Sequence, residues 1–203
     1  MPELLVSRRK ILTAGAAGAL GVLLNPSAVF ADDGEEVSLL RWDLVQIIQG
    51  TVLTGGLVRA TDAATGDVVT LTGSGEARPD DRTAAGGGTF VHQHADGSPV
   101  ANGVYVVTAF SSFKNGHGSL IPTPLQDGIG HKNRTDSGIL SLGITGFLAT
   151  GGSIQATLGV ECALPGDTSG AVEGITLDVL TFHFRQVPGG GFTVFHILGG
   201  SSS

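Results

Sequence analysis

His92-Gln93-His94, with Asp96 close behind, is the densest chemical pattern in the chain. Residues two apart in a strand share a face, so both imidazoles can reach one ion. Imidazole suits zinc, copper, nickel or iron. A closed site needs further donors, and His117, within Gly116-His117-Gly118, is the expected third ligand, with His131 as another candidate. His-x-His is a short pattern, and a strand end carrying two histidines beside a Gly-rich turn accounts for the same residues without a metal.

Other residues offer less chemistry. No Gly-x-Ser-x-Gly nucleophile elbow is present, and Ser119 has no base at a matching spacing. A Ser–His–Asp set assembled in space leaves no trace in a sequence. Asp80-Asp81 lie in Arg78-Pro79-Asp80-Asp81-Arg82 and read as a solvated loop. Gly86-Gly87-Gly88 lacks the Lys and Ser/Thr of a phosphate loop. Cys162 is the sole cysteine, which excludes an intramolecular disulfide and a Cys-based zinc site, and its place on an apolar strand face predicts a buried thiol. His183 shares a face with Thr181 and Arg185 and is expected to be solvated. His196 shares a face with Phe192 and Val194 and is expected to be partly buried, with a hydrogen-bond partner.

The formal charge is −7, and the basic residues are scattered. An acidic surface repels phosphate backbones, so nucleic acid is not an expected partner. The first 31 residues read as an address. Ser7-Arg8-Arg9-Lys10-Ile11-Leu12 fits the twin-arginine pattern, a short apolar run follows, and Val29-Phe30-Ala31 fits a cleavage site. The run is shorter than the ~20 apolar residues that a membrane-spanning helix needs. The expected organisation is a signal peptide over 1–31, one β-rich domain over 32–198 and a flexible Gly/Ser tail over 199–203, with the mature protein extracellular or periplasmic.

The histidines have to be positioned by strands. Ser153 to Leu164 alternates, with Ile154, Ala156, Leu158, Val160, Cys162 and Leu164 on one face. Asp178 to Arg185 reads as one strand. Pro188-Gly189-Gly190-Gly191 then turns the chain into Phe192–Leu198 as its hairpin partner. Val68 to Glu76, with Val69 and Leu71 inward, is a further strand, joined through a Thr65-Gly66-Asp67 turn to Gly56–Thr61. Tyr105 to Phe110 is apolar on both faces and predicts a central strand, and Ile139 to Leu148 is another. Leu39 to Ile48 fits a helix face or a strand, and Leu40, Trp42 and Leu44 favour the strand. Two stretches, 77–87 and 115–136, read as long irregular loops. About eight or nine strands without a crossover helix predict an all-β fold, a single antiparallel β-barrel or β-sandwich.

Leu71-Thr72-Gly73-Ser74-Gly75, Gly86-Gly87-Gly88-Thr89-Phe90, Cys162 in its strand, Glu173-Gly174-Ile175-Thr176 and Phe195-His196 together resemble a group of small exported bacterial proteins of actinobacterial type. The resemblance implies a secreted β-protein and brings no catalytic residue with it. The His-x-His is also similar to that of β-sandwich and cupin metal sites, without the glycine-and-glutamate context of cupins or the histidine ladder of copper–zinc superoxide dismutases.

Three functions fit these features. The first is a non-enzymatic secreted binding or envelope-associated protein, and a barrel has room to enclose a small apolar ligand. The second is a copper or zinc metalloprotein, such as a small oxidoreductase, on His92, His94 and His117. The third is a metal-free barrel enzyme, an isomerase or cyclase, working in a closed pocket.

Overall fold

The computed structural model describes residue 37 and residues 39–199. The signal segment expected over 1–31 and residues 200–203 of the expected tail lie outside the described residues. Fourteen strands carry the fold: β1 Leu39–Ile48, β2 Thr51–Thr54, β3 Val58–Asp62, β4 Val68–Leu71, β5 Ser74–Arg78, β6 Thr83–Gln93, β7 Pro99–Asn115, β8 Gln126–Asp127, β9 Thr135–Asp136, β10 Gly138–Leu148, β11 Ser153–Cys162, β12 Gly174–Val179, β13 Phe182–Gln186 and β14 Phe192–Gly199. Among the described residues no helix is long and apolar enough to cross a membrane.

Eight of these strands close into an antiparallel barrel. The order runs β4-β3-β13-β12-β11-β10-β7-β6, and β6 returns to β4 through Val68↔Gln93 to Leu71↔Phe90. An eight-stranded barrel has an interior just wide enough to be filled by side chains or to hold one small ligand. The fold is all-β, as expected, and of the two expected forms, barrel and sandwich, it is the barrel. β6 has two partners along one edge, because its first half pairs with β5 instead, from Ser74↔Gly87 to Arg78↔Thr83. β5 hands on to β1, β1 to β14 and β14 to β9, so an outer ribbon peels away from the barrel.

The point of departure is Thr72-Gly73, between β4 and β5. Here the Tyr105 hydroxyl donates to the Thr72 carbonyl oxygen at 2.9 Å. A Cβ on Gly73 would stand 2.0 Å from that hydroxyl oxygen, so only glycine lets the ring in so close. The single strand expected over Val68 to Glu76 is thus two strands broken at this pair, and Val69 and Leu71 do point inward, at 2% and 1% exposure.

β1 is a strand, and its Leu40, Trp42 and Leu44 are fully buried in the main core. The stretch 77–87 is not a long loop. Only Pro79 to Arg82 turns, between β5 and β6. Its Gly86 belongs to packing: a Cβ there would come within 2.9 Å of the Trp42 indole, as one on the facing Gly75 would within 2.8 Å. Composition suggested a loop because glycine is common to turns and to strands crowded by a large neighbour. The stretch 115–136 is irregular, as expected, apart from the two-residue strands β8 and β9 and a 3-10 turn over Lys132–Arg134.

Two pairings differ from expectation. Asp178 to Arg185 is a tight hairpin, β12 and β13 joined by Leu180-Thr181, with Val179 opposite Phe182. Neither Leu nor Thr is a turn-forming residue, so no local signal marks the reversal. Phe192–Leu198 does not pair with β13. The second edge of β13 is taken by β3 (Phe184↔Asp62), and β14 crosses to β1 instead. Gly199, expected in the tail, is the last residue of β14, opposite Leu39.

Cys162 and His196 are buried, at 0% and 1% exposure, and His183 is solvated, where it meets Asp178 at 2.9 Å. His196 Nε2 holds Asp127 Oδ2 at 2.8 Å, and Asp127 Oδ1 accepts the backbone N–H groups of Ile129 and Gly130. This carboxylate pins the irregular segment to β14. Burial alone would raise its pKa, but the bonds from His196 and the two amides hold it below the ordinary value of 3.8. A depressed folded pKa gives stability that is present above the unfolded value and is lost as pH falls through the folded one. Asp127→Asn should therefore lower stability at neutral pH and flatten the loss below about pH 4. Urea titrations at pH 7, 4 and 3 check this; an acid limb as steep as that of the wild type would contradict it.

Candidate functional site

Inside the barrel the side chains change size along its axis. At one end β10 and β11 send in Leu140, Leu142, Leu158 and Val160, all buried in the core. Towards the other end the inward positions include Ala101 on β7, Gly146 on β10 and Ala156 on β11. A cavity of about 240 Å³ opens there. Val69, Leu71, Phe90, Ile144, Leu177 and Phe184 belong to its apolar wall. Two lining side chains carry polar atoms, Tyr105 and His92. Tyr105 is 2% exposed and its proton is committed to Thr72, while burial pushes its pKa well up.

His92 stands near the end of β6, opposite Val69 on β4 and Ala101 on β7. Its ring lies edge-on to Phe182 and Phe184, with centroids 5.0 and 5.3 Å away. Its Nε2 meets Asp67 Oδ2 at 2.9 Å. Asp67, 4% exposed, sits just before β4 at the end of the Thr65-Gly66-Asp67 turn. His94, beyond the end of β6, brings Nδ1 to the same carboxylate at 3.3 Å. Burial opposes the ionised form of Asp67, but the bonds from His94 and His92 outweigh it and keep the carboxyl below its ordinary range. Asp62 braces this end of the barrel. Its Oδ1 accepts the N–H groups of Ala64 and Thr65, and its Oδ2 accepts that of His183 at 2.6 Å, so the β3–β4 turn is tied to the start of β13.

The structure brings His92 and His94 together, on Asp67, and places His117 elsewhere. His117 follows the far end of β7, beyond Asn115, whereas His92 pairs near its beginning at Ala101. At about 3.3 Å per residue that puts His117 on the order of 40 Å from the pair, too far to share an ion with it. Its backbone N–H bonds Asn115 Oδ1, and its side chain lines a separate polar cleft of about 530 Å³ with Ser119, Arg134 and Asp136. His131 is exposed and precedes the 3-10 turn, and Asp96 spends its carboxylate on Ser98. Among the described residues no group of three or more His, Cys, Asp and Glu side chains is arranged to hold a metal ion.

Sequence reasoning missed Asp67 and Tyr105. Asp67 is 25 residues from His92, and nothing local distinguishes it from any turn aspartate. Tyr105 had a signal: it is the only tyrosine and lies in an apolar strand, where a buried hydroxyl needs a partner.

The β12–β13 turn sits at the mouth. Leu180 lines the cavity, is 78% exposed and has φ +52°, a left-handed conformation that costs a bulky residue about 1–2 kcal/mol. Leu180→Gly should relieve that strain and raise the melting temperature of the ligand-free protein by about 2–6 °C. Scanning calorimetry reads the shift, and a lower melting temperature would show that the leucine's apolar contacts outweigh the strain. The chain matches no family model, no curated protein and no solved structure.

Proposed function

We propose that this protein binds one small, largely apolar molecule in the open half of its barrel. The cavity carries the reading: the barrel is packed at one end and hollow at the other, and nearly all of the hollow wall is apolar. Burying apolar ligand surface there is favourable by about 25 cal/mol per Å². At about 240 Å³ the space lies just below the range of about 300–1,000 Å³ usual for drug-sized ligands, so the ligand is a compact one. Export through the twin-arginine route, from Arg8-Arg9, belongs to the same proposal and makes this an extracellular or periplasmic binding protein. Membership of the group of small exported bacterial β-proteins is part of the same proposal.

A second reading, a proton-transfer enzyme of the isomerase or cyclase kind, is favoured by the His92–Asp67 pair in the cavity wall. A histidine oriented by a buried carboxylate is the arrangement of a general base. A copper or zinc centre on His92 and His94 has less support, because both rings already hold Asp67 and His117 lies at the far end of β7.

Titration calorimetry with naphthalene tests the binding reading. One equivalent per chain, with a negative heat-capacity change as apolar surface leaves water, is the expected result. Absence of saturable binding would contradict it.

A further inference from the structure

We infer that the ligand carries a single hydroxyl group, and that this hydroxyl donates to Nδ1 of His92 while the apolar body fills the cavity. The inference rests on the binding reading above and adds the chemistry of recognition.

Tyr105 and His92 bring the polar side-chain atoms of the wall, and the Tyr105 proton is occupied by Thr72. The Tyr105 hydroxyl oxygen is also packed against Gly73, where an added Cβ would stand 2.0 Å from it, which leaves His92 as the group that can recognise a ligand. Its two nitrogens are not equivalent. Nε2 lies 2.9 Å from Asp67 Oδ2. Asp67 is held ionised by its two histidine neighbours and so can only accept. In the neutral ring the proton is therefore on Nε2, and Nδ1 keeps a bare lone pair. Nδ1 has no hydrogen-bond partner among the described residues and is not one of the sealed, unpartnered buried atoms. His92 itself lines the apolar wall, so Nδ1 is the acceptor that this residue has left to offer a ligand. A phenol or compact alcohol satisfies it; a hydrocarbon leaves it dry, and a ketone or ether offers it no proton. Leaving a polar atom unpaired in such a setting is costly, so the pocket discriminates by what touches Nδ1. Phe182 and Phe184, packed edge-on to the imidazole, fix the plane in which that lone pair lies.

The test is a cycle of two ligands and two proteins, using the full chain. Naphthalene and 2-naphthol share a body and differ by the hydroxyl. Their Kd values are measured for the wild type and for His92→Phe, which keeps an aromatic ring in the wall. The ratio of the naphthalene Kd to the 2-naphthol Kd should fall about tenfold or more in the variant, the size of one well-made hydrogen bond in a dry site. A ratio unchanged within threefold would overturn the inference and leave the cavity reading standing. Failure of both ligands to bind the wild type would remove the cavity reading and the inference with it. Should His92→Phe not fold, nitrogen-15 spectra of the wild-type imidazoles decide. 2-Naphthol should move the Nδ1 resonance of His92 and naphthalene should not; equal responses to both would overturn the inference.

Discussion

Ala156→Phe abolishes the binding of small apolar ligands and leaves the protein folded. Ala156 projects from β11 into the hollow end of the barrel, between Ile154 at the mouth and Leu158 in the packed core. A benzyl group at this position takes up much of the 240 Å³ that a ligand would otherwise fill. Small-to-large changes usually strain a packed core by about 1–3 kcal/mol, but here the new ring enters space that holds no other atoms. Affinity for naphthalene should drop at least about 100-fold, beyond what one lost contact would cause, because the variant ring and the ligand exclude one another. The melting temperature should stay within a few degrees of the wild type or rise. A variant that binds naphthalene as before would place the ligand site outside the barrel.

Trp42→Ala has the largest expected effect on stability. The indole is fully buried between the outer ribbon and the barrel, and Gly75 and Gly86 give way to it. Removing a buried Trp leaves a void that β1 and β6 cannot close, at a cost of about 3–5 kcal/mol. For a domain of this size that lowers the melting temperature by roughly 6–20 °C. Trp42→Phe should cost clearly less than Trp42→Ala. Phenylalanine restores most of the volume, and it removes Nε1, which is buried without a hydrogen-bond partner. Trp42 is the only tryptophan, so the comparison is read by calorimetry or circular dichroism rather than by fluorescence. Equal losses for the two variants would contradict the void as the source of the loss.

What could be read from the sequence follows the range of the interactions involved. The alternation of Ile154, Ala156, Leu158 and Val160 is a local property of one strand against one core, and β11 begins at Ser153 as that pattern requires. Strand partners are not local. The Gly-rich turn after β13 promised a hairpin with Phe192–Leu198, but that edge is already held by β3, far earlier in the chain, through Phe184↔Asp62. The Leu180-Thr181 reversal was invisible because its backbone is imposed by the pairing on either side and not by its own residues. At the site, His92 and His94 could be found, because their spacing is local. Asp67, which engages both, could not, since only barrel closure through β4 and β6 brings it near. The cavity itself depends on Ala101, Gly146 and Ala156 arriving in one wall from three strands. Each of those residues alone is an ordinary small residue in a strand.

The most direct measurement of the central claim is a crystal structure of the protein soaked with 1-bromonaphthalene, with the bromine located by its anomalous signal. The account predicts one strong peak inside the barrel, enclosed by Ala101, Ala156, Leu177 and Phe184, with the naphthalene body beside His92. Bromine only on the outer surface of the barrel, or in the polar cleft beside His117, with the interior unchanged, would contradict it.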